Sequence, residues 1–241
     1  MKSKAMKTAI VTGASRGIGK AIALKLSTLG YNVVATGRSA SRLGELKTEI
    51  ENSQGQCLPL VIDMLDCEAP SRIVEESLAG FGQIDVLVNN AGISHSGSIT
   101  DTDEATWDRL HAVNARAPFF LCKETIPHLE KSTSPVIINI ASAMGFKGYV
   151  EQSAYGSSKH ALIGFTKVLA KEVQQAGIRI HLISPGGVDT EMIREMRPDI
   201  NTDELIQTGE IAELVEFLVS RKGKGTIDHL YIRRFSGLAF D

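Results

Sequence analysis

Cysteine is scarce in this chain of 241 residues, with only Cys57, Cys67 and Cys122 and no Cys-x-x-Cys spacing. An odd, unclustered set offers no disulfide framework and no zinc-finger arrangement, and it suits a reducing cytoplasm. The six histidines show neither HxxxH nor HExxH spacing, so no metal site is expected. An excess of one charge is also missing: 26 Lys/Arg against 28 Asp/Glu leave a net −2. That argues against nucleic acid or a membrane surface as a partner held by a general positive field. No apolar run approaches the ~20 residues that span a bilayer. The first residues, MKSKAMK, lead straight into a short apolar strand rather than a signal-peptide core. What these absences leave is a cytoplasmic globular protein, expected to be a single domain over residues 1–241.

What is present is an alternation. Short β-branched runs at 8–12, 32–36, 57–62, 84–89, 136–141, 178–184 and 227–232 are separated by amphipathic stretches at roughly 17–29, 41–52, 70–80, 103–130, 153–176 and 209–220. Most of the short runs are apolar throughout, as strands covered on both faces are. Seven strands and six helices in one βα series predict an α/β fold, a doubly wound parallel sheet in three layers, helix–sheet–helix. Such sheets bind ligands at the carboxyl ends of the strands, where the winding reverses.

The first strand runs into Thr12-Gly13-Ala14-Ser15-Arg16-Gly17-Ile18-Gly19 and then directly into a helix pattern. Glycines there permit a tight turn and let backbone N–H groups at the helix start approach a pyrophosphate. After the second strand comes Gly37-Arg38-Ser39, with no carboxylate until Glu45. A carboxylate at that position would hold ribose hydroxyls and repel a 2′-phosphate. Arg38, with Arg16 in the glycine loop, offers guanidinium forks to a phosphate instead. NADP(H) is therefore preferred, with NAD(H) possible; both arginines also read as solvated loop residues.

Ser142 ends the fifth strand, and Tyr155 and Lys159 stand four apart on a helix, so they share a face. A phenol titrating near 10 needs help to exchange protons at neutral pH, and a neighbouring cation is expected to draw its pKa down. In order along the chain stand the glycine loop, Asn89-Asn90-Ala91-Gly92, Asn114, Ser142, Tyr155-x-x-x-Lys159 and Pro185-Gly186-x-x-x-Thr190. Over about residues 7–192 this set strongly resembles the short-chain dehydrogenase/reductase family, in its single-domain branch with a Rossmann-type sheet.

The resemblance implies roles. Tyr155 would exchange a proton with a substrate carbonyl, Ser142 would hold that oxygen, and Lys159 would serve both Tyr155 and the nicotinamide ribose. Asn114 would fix a water in a proton relay. Gly13, Ser15, Arg16, Gly17, Ile18 and Gly19 would line the pyrophosphate and phosphate side, and Asp63 the adenine, unless it simply caps its turn. Asn90, Ala91 and Gly92 would pass beside the adenosine ribose, with Asn89 at the strand end. Pro185, Gly186, Val188 and Thr190 would cover the nicotinamide. The expected substrate wall includes His95, Met144, Phe146, Tyr149 and Met192, with Arg194 and Arg197 nearby, in and around a short lid at about 190–208. Met192, Ile193 and Met196 also read as the buried stripe of a lid helix. Surplus apolar residues on the helices at 103–130 and 153–176 (Phe119, Phe120, Phe165, Val168) suit the family's usual homodimer or homotetramer. The expected activity is reduction of a small-molecule ketone or aldehyde. A 3-oxoacyl-(acyl-carrier-protein) reductase and a nucleotide-sensing binding module are the alternatives. The tail, TIDHLYIRRFSGLAFD, departs from the family's glycine-rich ending and leaves both the acyl-reductase branch and the tetramer open.

Overall fold

The computed structural model describes residues 6–196 and 199–237. Arg197 and the outermost ends of the chain lie outside the described residues. Seven strands, β1 (Thr8–Val11), β2 (Asn32–Gly37), β3 (Cys57–Val61), β4 (Val86–Asn89), β5 (Val136–Ile140), β6 (Arg179–Pro185) and β7 (His229–Ile232), form one sheet in the order β3-β2-β1-β4-β5-β6-β7. Every pairing is parallel. The chain winds outward from β1 to β3, then returns to β4 beside β1 and winds the other way. The carboxyl ends of β1 and β4 therefore flank the switch point, where helices on opposite faces diverge and leave a crevice.

The central strands β1, β2, β4 and β5 are buried at every position, whereas β3 and β7, at the edges, are only partly so. That difference explains the continuous apolar runs of the centre and the polar residues of HLYI at one margin. Among the described residues there are eight α-helices: α1 (Gly17–Thr28), α2 (Ala40–Asn52), α3 (Ala69–Phe81), α4 (Glu104–His111), α5 (Ala117–Leu129), α6 (Ser153–Glu172), α7 (Glu191–Met196) and α8 (Thr208–Ser220). Ile22 and Leu26 of α1, Leu43 and Leu46 of α2, and Ile211 and Val215 of α8 pack on one face of the sheet. Ile73 and Val74 of α3 and Leu121 and Leu129 of α5 pack on the other.

Two details differ from the sequence expectation. The single helix expected at 103–130 is instead α4, a π-helical turn at Ala112–Arg116, and α5. Within it the Ala117 N–H donates to the Ala112 carbonyl, five residues back. Pro118 explains the widening, because it has no N–H for the Asn114 carbonyl and its ring crowds that group. The second difference is α7, a short helix within the segment following Thr190. None of its residues is buried, so Met192, Ile193 and Met196 do not form a buried stripe. The segment is pinned at its base by a bridge between Val188 and Ile206.

Between the layers runs a buried chain of polar side chains. Asn89 and Asn139 are register partners on β4 and β5. The Asn89 amide donates to Asn139 Oδ1 at 2.8 Å and the Asn139 amide donates to Thr166 Oγ1 at 2.8 Å. The Thr166 hydroxyl in turn donates to the Leu162 carbonyl at 2.6 Å. This chain ties α6, and with it the following site, to the centre of the sheet.

Candidate active site

The glycine loop leaves β1 through Gly13 at φ +66° and enters α1 at Gly17, φ +56°. A Cβ on Gly13 would stand 2.8 Å from Ala91 Cα, and one on Gly19 only 2.3 Å from the Gly13 carbonyl oxygen. The loop thus folds flat on itself and on the end of β4, and no larger residue fits either position. Asn90 locks the contact: its side-chain amide donates to the Thr12 and Gly13 carbonyls at 2.9 and 3.2 Å. Thr12 Oγ1 accepts from the Asn90 and Ala91 N–H groups, both at 3.0 Å.

From this loop a cleft of about 860 Å³ crosses the carboxyl ends of the strands. Its walls include Gly13, Ser15, Arg16, Gly17, Ile18, Arg38, Asp63, Asn90, Ala91 and Gly92 on one side of the switch point. Beyond it lie Ser142, Met144, Tyr149, Tyr155, Lys159, Pro185, Gly186, Val188, Thr190 and Met192. Arg38 is exposed at the end of β2 and has no side-chain partner among the described residues. Asp63 accepts from the Leu65 N–H at 3.0 Å, so it does cap its turn while facing the cleft. Arg16 is engaged differently from expectation, in an ion pair with Glu191 at the start of α7. Arg42 on α2 joins the same carboxylate at 3.1 Å, and these two cations hold the Glu191 carboxyl below its usual range.

At the floor, α6 carries Tyr155 and Lys159 one turn apart, 8% and 4% exposed. The Tyr155 hydroxyl shares a hydrogen bond with Ser142, whose Oγ also accepts from the Met144 N–H at 3.2 Å. Gly145 makes this meeting possible, since a Cβ there would press to 2.6 Å on Ile163 and 3.1 Å on the Lys159 carbonyl. The turn after Ser142 therefore lies directly on α6. Lys159 Nζ donates to the Ile140 carbonyl at 3.1 Å and stands 6.0 Å from the centre of the Tyr155 ring. Burial pushes the phenol up to about 12, opposed by its bond to Ser142, and pulls Lys159 down to about 8. The expectation that the cation draws the phenol down is not met here: burial of the phenol dominates and only its bond to Ser142 opposes it.

Asn114 sits fully buried in the π turn, off the cleft wall. Its amide donates to the Ile93 carbonyl and Ser158 Oγ, and its Oδ1 accepts from the Ile93 N–H. Four residues on, Pro118 has no N–H to offer the Asn114 carbonyl. Two expected substrate residues stand elsewhere. His95 does not line the cleft; its Nε2 is buried close against Gly97, with no hydrogen-bond partner among the described residues. Phe146 also stands off the wall, packed edge-on against Tyr231 and His229. The cleft instead includes Arg109, Lys147, Tyr231, Arg233 and Arg234, none of them expected. The tail contains its own signal, two arginines directly after an aromatic strand, but only the pairing of β7 with β6 shows which site they reach.

The short chain dehydrogenase family profile matches residues 7–201. An uncharacterized oxidoreductase of Staphylococcus saprophyticus is 35% identical over 228 residues, covering 94% of this chain and 97% of its own. A 3-oxoacyl-[acyl-carrier-protein] reductase of Thermotoga maritima is 33% identical over 222 residues, 89% of this chain and 90% of its own. Among solved structures, a metagenomic short-chain oxidoreductase in complex with NADP superposes with a TM-score of 0.83 at 33% identity, covering 95% of this chain and 96% of that one. With the sheet order and the reach of these matches in agreement, the chain belongs to the short-chain dehydrogenase/reductase family of oxidoreductases.

Proposed function

We propose that the protein is an NADP(H)-dependent carbonyl reductase with Tyr155 as its general acid/base. The observation that carries this reading is the Ser142–Tyr155–Lys159 group at the floor of a cleft whose other half is a glycine cradle. The residues fit a dinucleotide: a Cβ would fill the cradle at Gly13 and Gly19, and Arg38 stands unpartnered where a 2′-phosphate would come. Gly13 to Gly19 would hold the pyrophosphate at the start of α1, and Pro185 to Thr190 the nicotinamide. The nicotinamide supplies the hydride when bound.

The chain's own residues handle the proton. Ser142 holds the substrate oxygen beside the Tyr155 hydroxyl, and Tyr155 donates its proton as negative charge develops there. Lys159, one helical turn away, stabilises the phenolate left behind. A water on the Asn114 carbonyl links this pair to solvent. The NADP complex of the metagenomic relative is consistent with the cofactor choice. The Thermotoga relative keeps 3-oxoacyl thioesters in view as a second substrate class. Outside the cleft, Phe119, Phe120 and Val168 are exposed on α5 and α6, which supports a homodimer or homotetramer formed on that face.

The test is NADPH oxidation against a panel of ketones, aldehydes and 3-oxoacyl thioesters. Tyr155→Phe should lower turnover by about 10²–10⁴-fold while NADPH still binds. Undiminished turnover in that variant would end the assignment.

A further inference from the structure

The tail that departs from the family pattern forms one wall of the cleft. β7 ends with Ile232 paired to Pro185, and the Gly186 N–H donates to the Ile232 carbonyl at 2.7 Å. The next two residues therefore leave the sheet directly over Gly186 and Gly187. Arg233 is structural: its Nη1 donates to the carbonyls of Arg234, Phe235 and Gly237 at 2.9, 3.1 and 2.8 Å. Arg234 is not. Its side chain is half-buried and lines the cleft, and its guanidinium has no hydrogen-bond or ion-pair partner among the described residues. It lies across Gly187, where a Cβ would stand 3.6 Å from its Cδ and 3.9 Å from its Nε.

Charge in the cleft is unbalanced: seven Lys/Arg side chains line it against Asp63, Glu151 and Glu191. Glu191 is already matched by Arg16 and Arg42, and Glu151 accepts from the Ser96 hydroxyl. A partly desolvated guanidinium with no counter-charge is costly, and a carboxylate restores the balance through two parallel N–H···O bonds. The cleft wall also carries the aromatic Tyr231, with Lys147 4.9 Å from the centre of its ring, and the apolar Met192 and Ile200.

We infer that the substrate is an oxo acid, a ketone or aldehyde with an apolar body and a carboxylate that pairs with Arg234. This deepens the reductase reading and rests on it. Arg234 is then a specificity-determining residue, placed by Gly187 and by the turn that Arg233 holds.

The experiment compares 2-, 4- and 5-oxo acids bearing a phenyl end group with their ethyl esters, in wild type, Arg234→Gln and Arg234→Lys. Wild type should favour at least one acid over its ester by 10-fold or more in kcat/KM. Arg234→Gln should lose 10- to 100-fold on that acid and less than 2-fold on the ester, with Arg234→Lys in between and the Kd for NADP+ unchanged. Equal use of acids and esters by wild type, or an equal loss on both in Arg234→Gln, overturns the inference. If no acid or ester is reduced while a ketone, aldehyde or thioester of the wider panel is, the inference fails and the reductase reading stands; if nothing in either set is reduced, the reductase reading itself fails, and calorimetry then decides the anion site alone. Binding of 2-hydroxy-4-phenylbutanoate to the NADP+-saturated protein must be present in wild type and lost in Arg234→Gln; binding that is absent, or indifferent to the substitution, overturns it.

Discussion

Gly19 and Gly44 both lie in helices, so the same change to alanine at each separates helix propensity from steric fit. Gly44, on α2, has nothing within 4 Å of where a Cβ would go. Alanine there should stabilise by about 0.5–1 kcal/mol, from the smaller entropy loss of the helix. In a chain of this size that raises Tm by about 1–4 °C. Gly19, on α1, has the Gly13 carbonyl oxygen at 2.3 Å and the Asn90 amide nitrogen at 2.5 Å from the same point. Neither neighbour can rotate away: one is backbone, and the other holds Thr12 and Gly13 together. Overpacking of this kind costs about 1–3 kcal/mol. Set against the propensity gain, the net loss is up to about 2.5 kcal/mol, or up to about 10 °C in Tm. Because the displaced atoms belong to the phosphate cradle, the Kd for NADP+ should also rise at least ~10-fold, about 1.4 kcal/mol. Thermal unfolding and fluorescence titration of both variants suffice. A Gly19→Ala protein that gains stability like Gly44→Ala, with NADP+ binding intact, would refute the claim that close approach requires glycine there.

Three further outcomes follow from the same geometry. Replacing Arg38 by Gln should weaken NADPH at least ~10-fold and leave NADH nearly unchanged, since only the former presents a 2′-phosphate; equal weakening of both cofactors would count against the preference. Asn139→Leu removes the oxygen acceptor of the Asn89 amide, leaving it Cys122 Sγ alone, and the donor to Thr166 Oγ1, and should cost about 2 kcal/mol in urea unfolding without altering NADP+ affinity. Lys159 is depressed to about 8 from 10.5 in the folded protein, so the unfolded chain binds more protons between those values. Its burial therefore destabilises fully below pH 8, and stability recovers as pH rises from 8 to 10.5. Lys159→Met should be more stable than wild type at pH 7, and the difference should shrink across that window by at most about 1.4 kcal/mol per pH unit.

Much of this site is legible in the chain because its parts are local. Tyr155 and Lys159 meet by helical spacing alone, and the glycine loop announces itself between a strand and a helix. What stays hidden depends on partners distant in sequence. Nothing near Arg16 indicates that Glu191 will claim it, and nothing in the tail indicates that Arg234 will cross Gly187. The phenol's raised pKa follows from the depth of burial, which spacing does not report. His95 follows a strand end that does line the cleft, yet the loop turns it onto Gly97 instead. The π turn is hidden for another reason: Leu110, Val113, Ala117, Leu121 and Leu129 keep an unbroken α-helical period across it.

That unbroken period has a consequence for how the chain tolerates change. A wide turn holds one residue more than an α turn, so it sets α5 back by about 100° relative to α4. One stripe of apolar residues is thereby aimed in two directions. Leu110 packs with Ala154 and Tyr155, whereas Val113, Ala117, Leu121 and Leu129 pack against the sheet. The turn works as a phase shifter between the reacting tyrosine and the scaffold. Deleting a single residue from 112–116 would make a more regular helix, but every contact of α5 would then point a quarter-turn away from the surface it was made for.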